Sequence, residues 1–166
     1  LPAWDETVLG DVVRCATGQT LDVTSVAGLL QDAGVDGLDP WSGVRTYTLA
    51  YRTTRWEGQE GIGTARLFLP DTLVAGGPRP VVVVGQGPHG VDDACAPSRT
   101  GIGRDDALAV AFVGRGFAVI APDLAGLGNE GFPGYGATAD TAHSALDAVR
   151  AVVGSVILGS VTEDAV

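Results

Sequence analysis

The stretch best suited to chemistry is Gly85-Gln86-Gly87-Pro88-His89-Gly90, which directly follows four valines, Val81 to Val84. Small residues let backbone N–H groups come close to a bound molecule. Two such groups aimed at one point stabilise the oxyanion that forms when a carbonyl is attacked. Pro88 has no N–H, so the candidate donors are Gly87, His89 and Gly90, with the Gln86 side chain as an orienting group. On glycine content alone, a plain strand-to-helix turn is the better reading. Acyl transfer also needs a nucleophile and a base, and no Gly-x-Ser-x-Gly occurs in the 166 residues. Gly159-Ser160-Val161 lacks the second glycine of a tight elbow, Ser144 falls inside a helical pattern, and Ser155 and Ser160 read as tail. No catalytic residue is assigned to this chain.

Other reactive side chains read more plainly. Asp92, Asp93 and Asp123 are not read as a metal site, and neither cysteine stands with His at metal-ligand spacing, so no metal is expected, and no cofactor. Asp123 follows Pro122 and is expected to end a strand and cap the next turn. His143 is expected to be structural or solvated. Cys15 and Cys95 form no CxxC; two free thiols, an internal disulfide and a bond to another chain are all open. Phe132 and Tyr135, in the Gly-rich loop 126–136, are pocket candidates, whereas Trp41 reads as packing.

The elements that must hold these residues follow from periodicity. Segments 44–51 and 62–69 alternate as strands around a turn at 53–61, giving a hairpin. The run 81–84 suits a strand buried on both faces, as does 117–121. A helix is expected between them, opened by Asp105 and Asp106 at its positive end, with Leu108, Ala111 and Phe112 on one side. Over 138–153, Ala142, Ala145, Leu146, Val149, Val152 and Val153 recur at helical spacing, with Asp140, Ser144, Asp147 and Arg150 on the wetter side. A short helix is expected over 23–33, ended by Gly34, within an otherwise mixed segment 1–43; residues 154–166 read as a tail, with Val156-Ile157-Leu158 as a possible strand. Together these give an α/β sheet with an antiparallel hairpin followed by a right-handed β-α-β-α unit.

Composition bounds the partners. The net charge is −10, and hydrophobic residues make up 45%. Such a surface repels nucleic acid and anionic headgroups. No apolar run approaches the roughly 20 residues needed to cross a bilayer as a helix.

The segments Val81-Val82-Val83-Val84-Gly85-Gln86-Gly87, Cys95-Ala96-Pro97-Ser98-Arg99, Ala121-Pro122-Asp123-Leu124-Ala125-Gly126-Leu127-Gly128 and Leu146-Asp147-Ala148-Val149-Arg150-Ala151 occur in that order. They resemble the front part of secretory lipases and esterases of the actinobacterial and fungal type, within the α/β-hydrolases. The resemblance runs from about Gly10 to Val153. It implies a single partial α/β-hydrolase domain over 1–166, cut near Val166 and completed by a second polypeptide of the same precursor. That polypeptide would carry the nucleophile and base and cover the open edge of strand 81–84. The resemblance implies a small ester or lipid substrate and a secreted chain, in which Cys15 and Cys95 become disulfide candidates. It also turns loop 85–90 into the expected oxyanion loop. Gln86-Gly87 stands where the family usually has His-Gly. This substitution and the missing nucleophile keep open a non-catalytic hydrolase-like binding protein, and the fold admits an amidase or acyltransferase.

Overall fold

The computed structural model describes residues 8–72 and 80–157. Five strands form one mixed sheet: β1 (Val12–Leu21), β2 (Val44–Thr54), β3 (Glu60–Pro70), β4 (Val81–Val83) and β5 (Ala118–Pro122), in the order β1-β2-β3-β5-β4. The expected hairpin is β2–β3, paired without a break from Val44↔Pro70 to Thr54↔Glu60. Strand β4 runs parallel to β5, as the β-α-β pattern requires. Because β3 is antiparallel to β5, the end of β2, the start of β3 and the carboxyl ends of β4 and β5 share one edge of the sheet.

Helix α1 (Val23–Asp32) is capped by Asp22, whose carboxylate accepts the Ser25 N–H at 2.7 Å. That hydrogen bond holds the Asp22 carboxyl below its ordinary range. The helix stops before Gly34, at φ +78°, as expected. Helices α1 and α2 (Ala107–Val113) pack on one face of the sheet through Val26, Leu30, Val110 and Val113 against Val44, Phe68 and Val119. Helix α3 (Thr138–Ile157) packs on the other face, where Ala148, Ala151 and Val152 meet Tyr47, Leu49, Tyr51 and Ile120.

Several expectations are corrected. The mixed segment 1–43 contains β1, which shows no period-two pattern because nearly all its side chains are exposed at the sheet margin. Strand β4 lies at the opposite margin, so Val81 and Val82 are half-buried and Val83 is exposed; β5 is the strand buried throughout. Asp105 and Asp106 sit in a 3-10 turn before α2, and Leu108 faces water while Ala109 and Val110 are buried. Residues Val156 and Ile157 continue α3 and form no strand.

The stripe on α3 is also rotated from the expected one. Asp140, Ser144 and Asp147 are buried, and Leu146 is 56% exposed. Each buried polar group has a distant partner. The Tyr51 hydroxyl donates to the Ser144 carbonyl (2.8 Å), the Ser144 hydroxyl accepts the Ala125 N–H (3.0 Å), and the Thr53 hydroxyl donates to Asp147 (2.8 Å). Once satisfied in this way, polar side chains no longer carry the desolvation cost that drives them outward. Burial, with the Asp123 and Asp147 carboxylates nearby, pushes the Tyr51 hydroxyl far above its ordinary range.

Candidate functional site

Loop 85–90 leaves β4 at the sheet edge where both parallel strands end, which is where open α/β sheets bind ligands. The Val84 N–H still donates to the Ile120 carbonyl (3.0 Å), and the chain then departs. Gly90 has φ +116°, and a Cβ there would meet Cys95 Sγ at 3.0 Å, so the loop folds back tightly on the Asp93–Cys95 turn. Among the described residues, the N–H groups of Gly87 and Gly90 have no acceptor. The His89 N–H faces the Tyr135 hydroxyl at 3.5 Å, which makes it the donor least available to a ligand. Gln86 and His89 are half-buried, and Gly87 and Gly90 are exposed.

Two arginines fasten the loops around this edge. Arg66, in β3, is 3% exposed; it pairs with Asp106 at 2.9 Å, donates to the carbonyls of Pro97 and Thr100, and lies over the Phe68 ring. It thereby anchors the turns that follow loop 85–90. Arg55, just after β2, pairs with Asp140 at 2.6 Å and donates to the Phe132 carbonyl at 2.9 Å. The Trp56 N–H donates to the same Asp140 carboxylate. These bonds anchor the loop that follows β5. That loop opens on Leu124, a non-glycine residue at φ +81°, a conformation that is uncommon and strained for a branched side chain. At Gly126 (φ +79°) a Cβ would run into the Phe132 carbonyl.

The two loops also grip each other. Asp93 accepts the Gly128 N–H (3.0 Å), and Arg99 donates to the Gly128 carbonyl (2.7 Å). Asp92 accepts the Ala94 N–H at 2.8 Å. Asp123 is buried and does not cap the turn that follows it. Its carboxylate accepts the Ser98 N–H (2.9 Å) and faces the Thr64 hydroxyl (2.8 Å), so it holds the preceding Pro97–Arg99 turn onto β3. The Ser98 hydroxyl is buried against this carboxylate without a well-formed hydrogen bond. Burial raises the Asp123 carboxyl above its ordinary range, against the hydrogen bonds from Ser98 and Thr64 and the Arg66 charge, which lower it.

Tyr135 is thus brought to loop 85–90, while Phe132, 88% exposed, lies on the rim of an open cavity of ≈ 700 Å³ between the β2–β3 turn and loop 129–132. Arg66, Arg55, Asp140 and Trp56 were not among the expected site residues. The available signal for Arg66 was a lone arginine inside the apolar run Ala65-Arg66-Leu67-Phe68, since a charge in such a place must find a partner. Of the alternatives left open for Cys15 and Cys95, the internal bond is not formed and both thiols are free. Cys15 packs with the cluster on the α3 side, where burial raises its thiol pKa, and Cys95 sits against Gly90. His143 is structural, its Nδ1 lying 2.9 Å from the Thr54 carbonyl. Trp41 packs over Gly116. Ser155 lies within α3, and Ser160 lies outside the described residues. No described helix is long and apolar enough to cross a membrane.

No family model matches this sequence, and no curated protein does. Solved structures do. A ligand-bound form of the rice cell wall degrading esterase LipA from Xanthomonas oryzae is 19% identical with TM-score 0.72, over 93% of this chain and 40% of its own. A protein assigned as a hydrolase from Legionella pneumophila is 19% identical with TM-score 0.73, over 89% and 40%. Candida antarctica lipase A in its closed state is 16% identical with TM-score 0.59, over 92% and 34%. The chain has the fold of the N-terminal part of an α/β-hydrolase, of the kind seen in these esterases and lipases. It spans about two fifths of the length of the first two.

Proposed function

We propose that this chain is the oxyanion-loop portion of a secreted serine hydrolase that cleaves carboxylic esters. The observation that carries the reading is loop 85–90. It leaves the carboxyl end of β4 with two N–H groups unclaimed, in a fold shared with esterases and lipases. In this proposal the nucleophile, base and remaining strands lie on further polypeptide of the same precursor, seated against β4. Among the described residues β4 pairs with β5 alone, which leaves its other edge open to the next strand. Phe132 and Tyr135 flank the acyl or alcohol side of the site.

Proline substitution tests the donors, because it removes the N–H. Gly87 is the sharpest position: its φ is not positive and the space around it is open. In the complete protein, Gly87→Pro is expected to lower kcat for a nitrophenyl ester about a hundredfold, while Gly87→Ala keeps most of it. His89→Pro should do less, since that N–H faces Tyr135. Full activity in every folded proline variant would reduce the loop to a turn. The chain described here, assayed by itself, is expected to give no turnover.

One observation favours a second reading. Gln86 stands where the resembling family has His, which fits a hydrolase-like binding protein without turnover. Absence of a Gly-x-Ser-x-Gly elbow in the rest of the precursor would select it.

A further inference from the structure

The cavity beside the β2–β3 turn is walled by residues that, Phe132 apart, the proposed ester chemistry does not use. Trp56 and Phe132, 55% and 88% exposed, both line it. Their backbones are fixed: the Trp56 N–H donates to Asp140, and the Phe132 carbonyl accepts from Arg55 at 2.9 Å. Two large apolar rings are therefore presented to water by a hydrogen-bonded frame. The same lining includes Gln59 and Asn129, which carry amides, and Glu60 and Glu130, which carry carboxylates. Amides both donate and accept, and carboxylates accept.

Charge narrows the ligand. Arg55 is neutralised by Asp140, and Glu60 pairs with Arg52 at 2.9 Å. Among the described residues Glu130 has no ion pair, so the lining carries a net negative charge and disfavours an anion. An organic cation is best held where rings enclose it, whereas this cavity is open and has a guanidinium in its wall. A sugar ring fits both halves of the lining, with C–H groups on its faces for an aromatic side chain and hydroxyls around its rim for amides and carboxylates. We infer that this cavity is a binding subsite for a neutral saccharide, stacked on Trp56 or Phe132 and hydrogen-bonded by Gln59, Asn129 and Glu130. The site goes beyond the ester-hydrolase reading and stands without it.

The test is binding, read without any ester turnover, so it can fail while that reading stands, and the reverse. Saturation-transfer NMR and calorimetry on the full chain would use cellobiose and xylobiose as neutral probes and choline as the cation. Binding of at least one disaccharide is expected, weakened about tenfold or more by Trp56→Ala or Phe132→Ala. Trp56→Phe or Phe132→Tyr should restore it, and Glu130→Gln, which keeps an acceptor, should largely retain it. Both rings are exposed, so melting temperatures should not change. No disaccharide signal, a signal indifferent to both alanine variants, or choline binding lost in Glu130→Gln without sugar binding would each overturn the inference.

Discussion

Arg66 and Arg55 do similar work in different surroundings. Each springs from the antiparallel hairpin, each pairs with a nearly buried aspartate, and each donates to the carbonyls of a loop that follows a parallel strand. Arg66 does so at 3% exposure beneath the turns after loop 85–90, whereas Arg55 is 19% exposed at a cavity wall. A buried guanidinium leaves its buried partners, here Asp106 and the Pro97 carbonyl, little recourse to water if it is lost. One at the rim leaves them room to rehydrate. The enclosed arginine therefore fixes the fold, and the rim arginine fixes the shape of a surface that a ligand can reach.

Three substitutions probe that difference. Arg66→Ala should be the most damaging, costing about 3–5 kcal/mol because Asp106 is left as an unpaired buried charge. Urea denaturation would measure it. Lysine should not rescue it, since an ammonium cannot span three acceptors in a plane. Arg55→Ala should cost about 1–3 kcal/mol, with its clearest effect local: faster amide exchange in loop 126–132 and around Trp56, with the core unchanged. Equal losses in the two variants would erase the distinction between them.

The smallest effect is expected at Asp123, where the Thr64 hydroxyl has one proton between two acceptors, Asp123 (2.8 Å) and the Leu127 carbonyl (2.7 Å). The folded chain protonates Asp123 at higher pH than the unfolded chain does. It therefore binds more protons in that window, and this group adds stability as pH falls from its raised folded value toward about 4. Above the window the buried charge costs stability. Asp123→Asn can accept from Ser98 and donate to Thr64, so it should stay within about 1 kcal/mol of the parent at pH 7 and lack that rise on acidification. Matched denaturation curves between pH 4 and 8 would show it, and an identical pH slope in both proteins would remove Asp123 as the cause.

The strands and the glycine loop were legible because their signals are local. Alternation marks β2 and β3, a β-branched run marks β4, and glycines flank the turn. The buried face of α3 was not, because Asp140 and Asp147 are satisfied by Arg55 and Thr53, 85 and 94 positions away. Periodicity assigns a carboxylate to water unless that partner is known. The cavity was hidden for the same reason: Arg55 joins its two walls by donating to the Phe132 carbonyl, 77 positions away. Strand β1 was missed because a margin strand with polar side chains carries no alternation.

That margin strand has a consequence for how the molecule meets others. Its register slips between Val12 and Arg14, and again between Thr17 and Thr20, so two bulges interrupt its pairing with β2. Bulges twist an edge out of the plane that an incoming strand needs, and Arg14, Gln19 and Thr20 add polar side chains along it. At the far side β4 is a short run of valines whose register with β5 does not slip, and among the described residues nothing covers its other edge. Among the described residues the sheet is therefore polarised, guarded on its antiparallel side and open on its parallel side, which gives assembly by strand addition one favoured direction in which to grow.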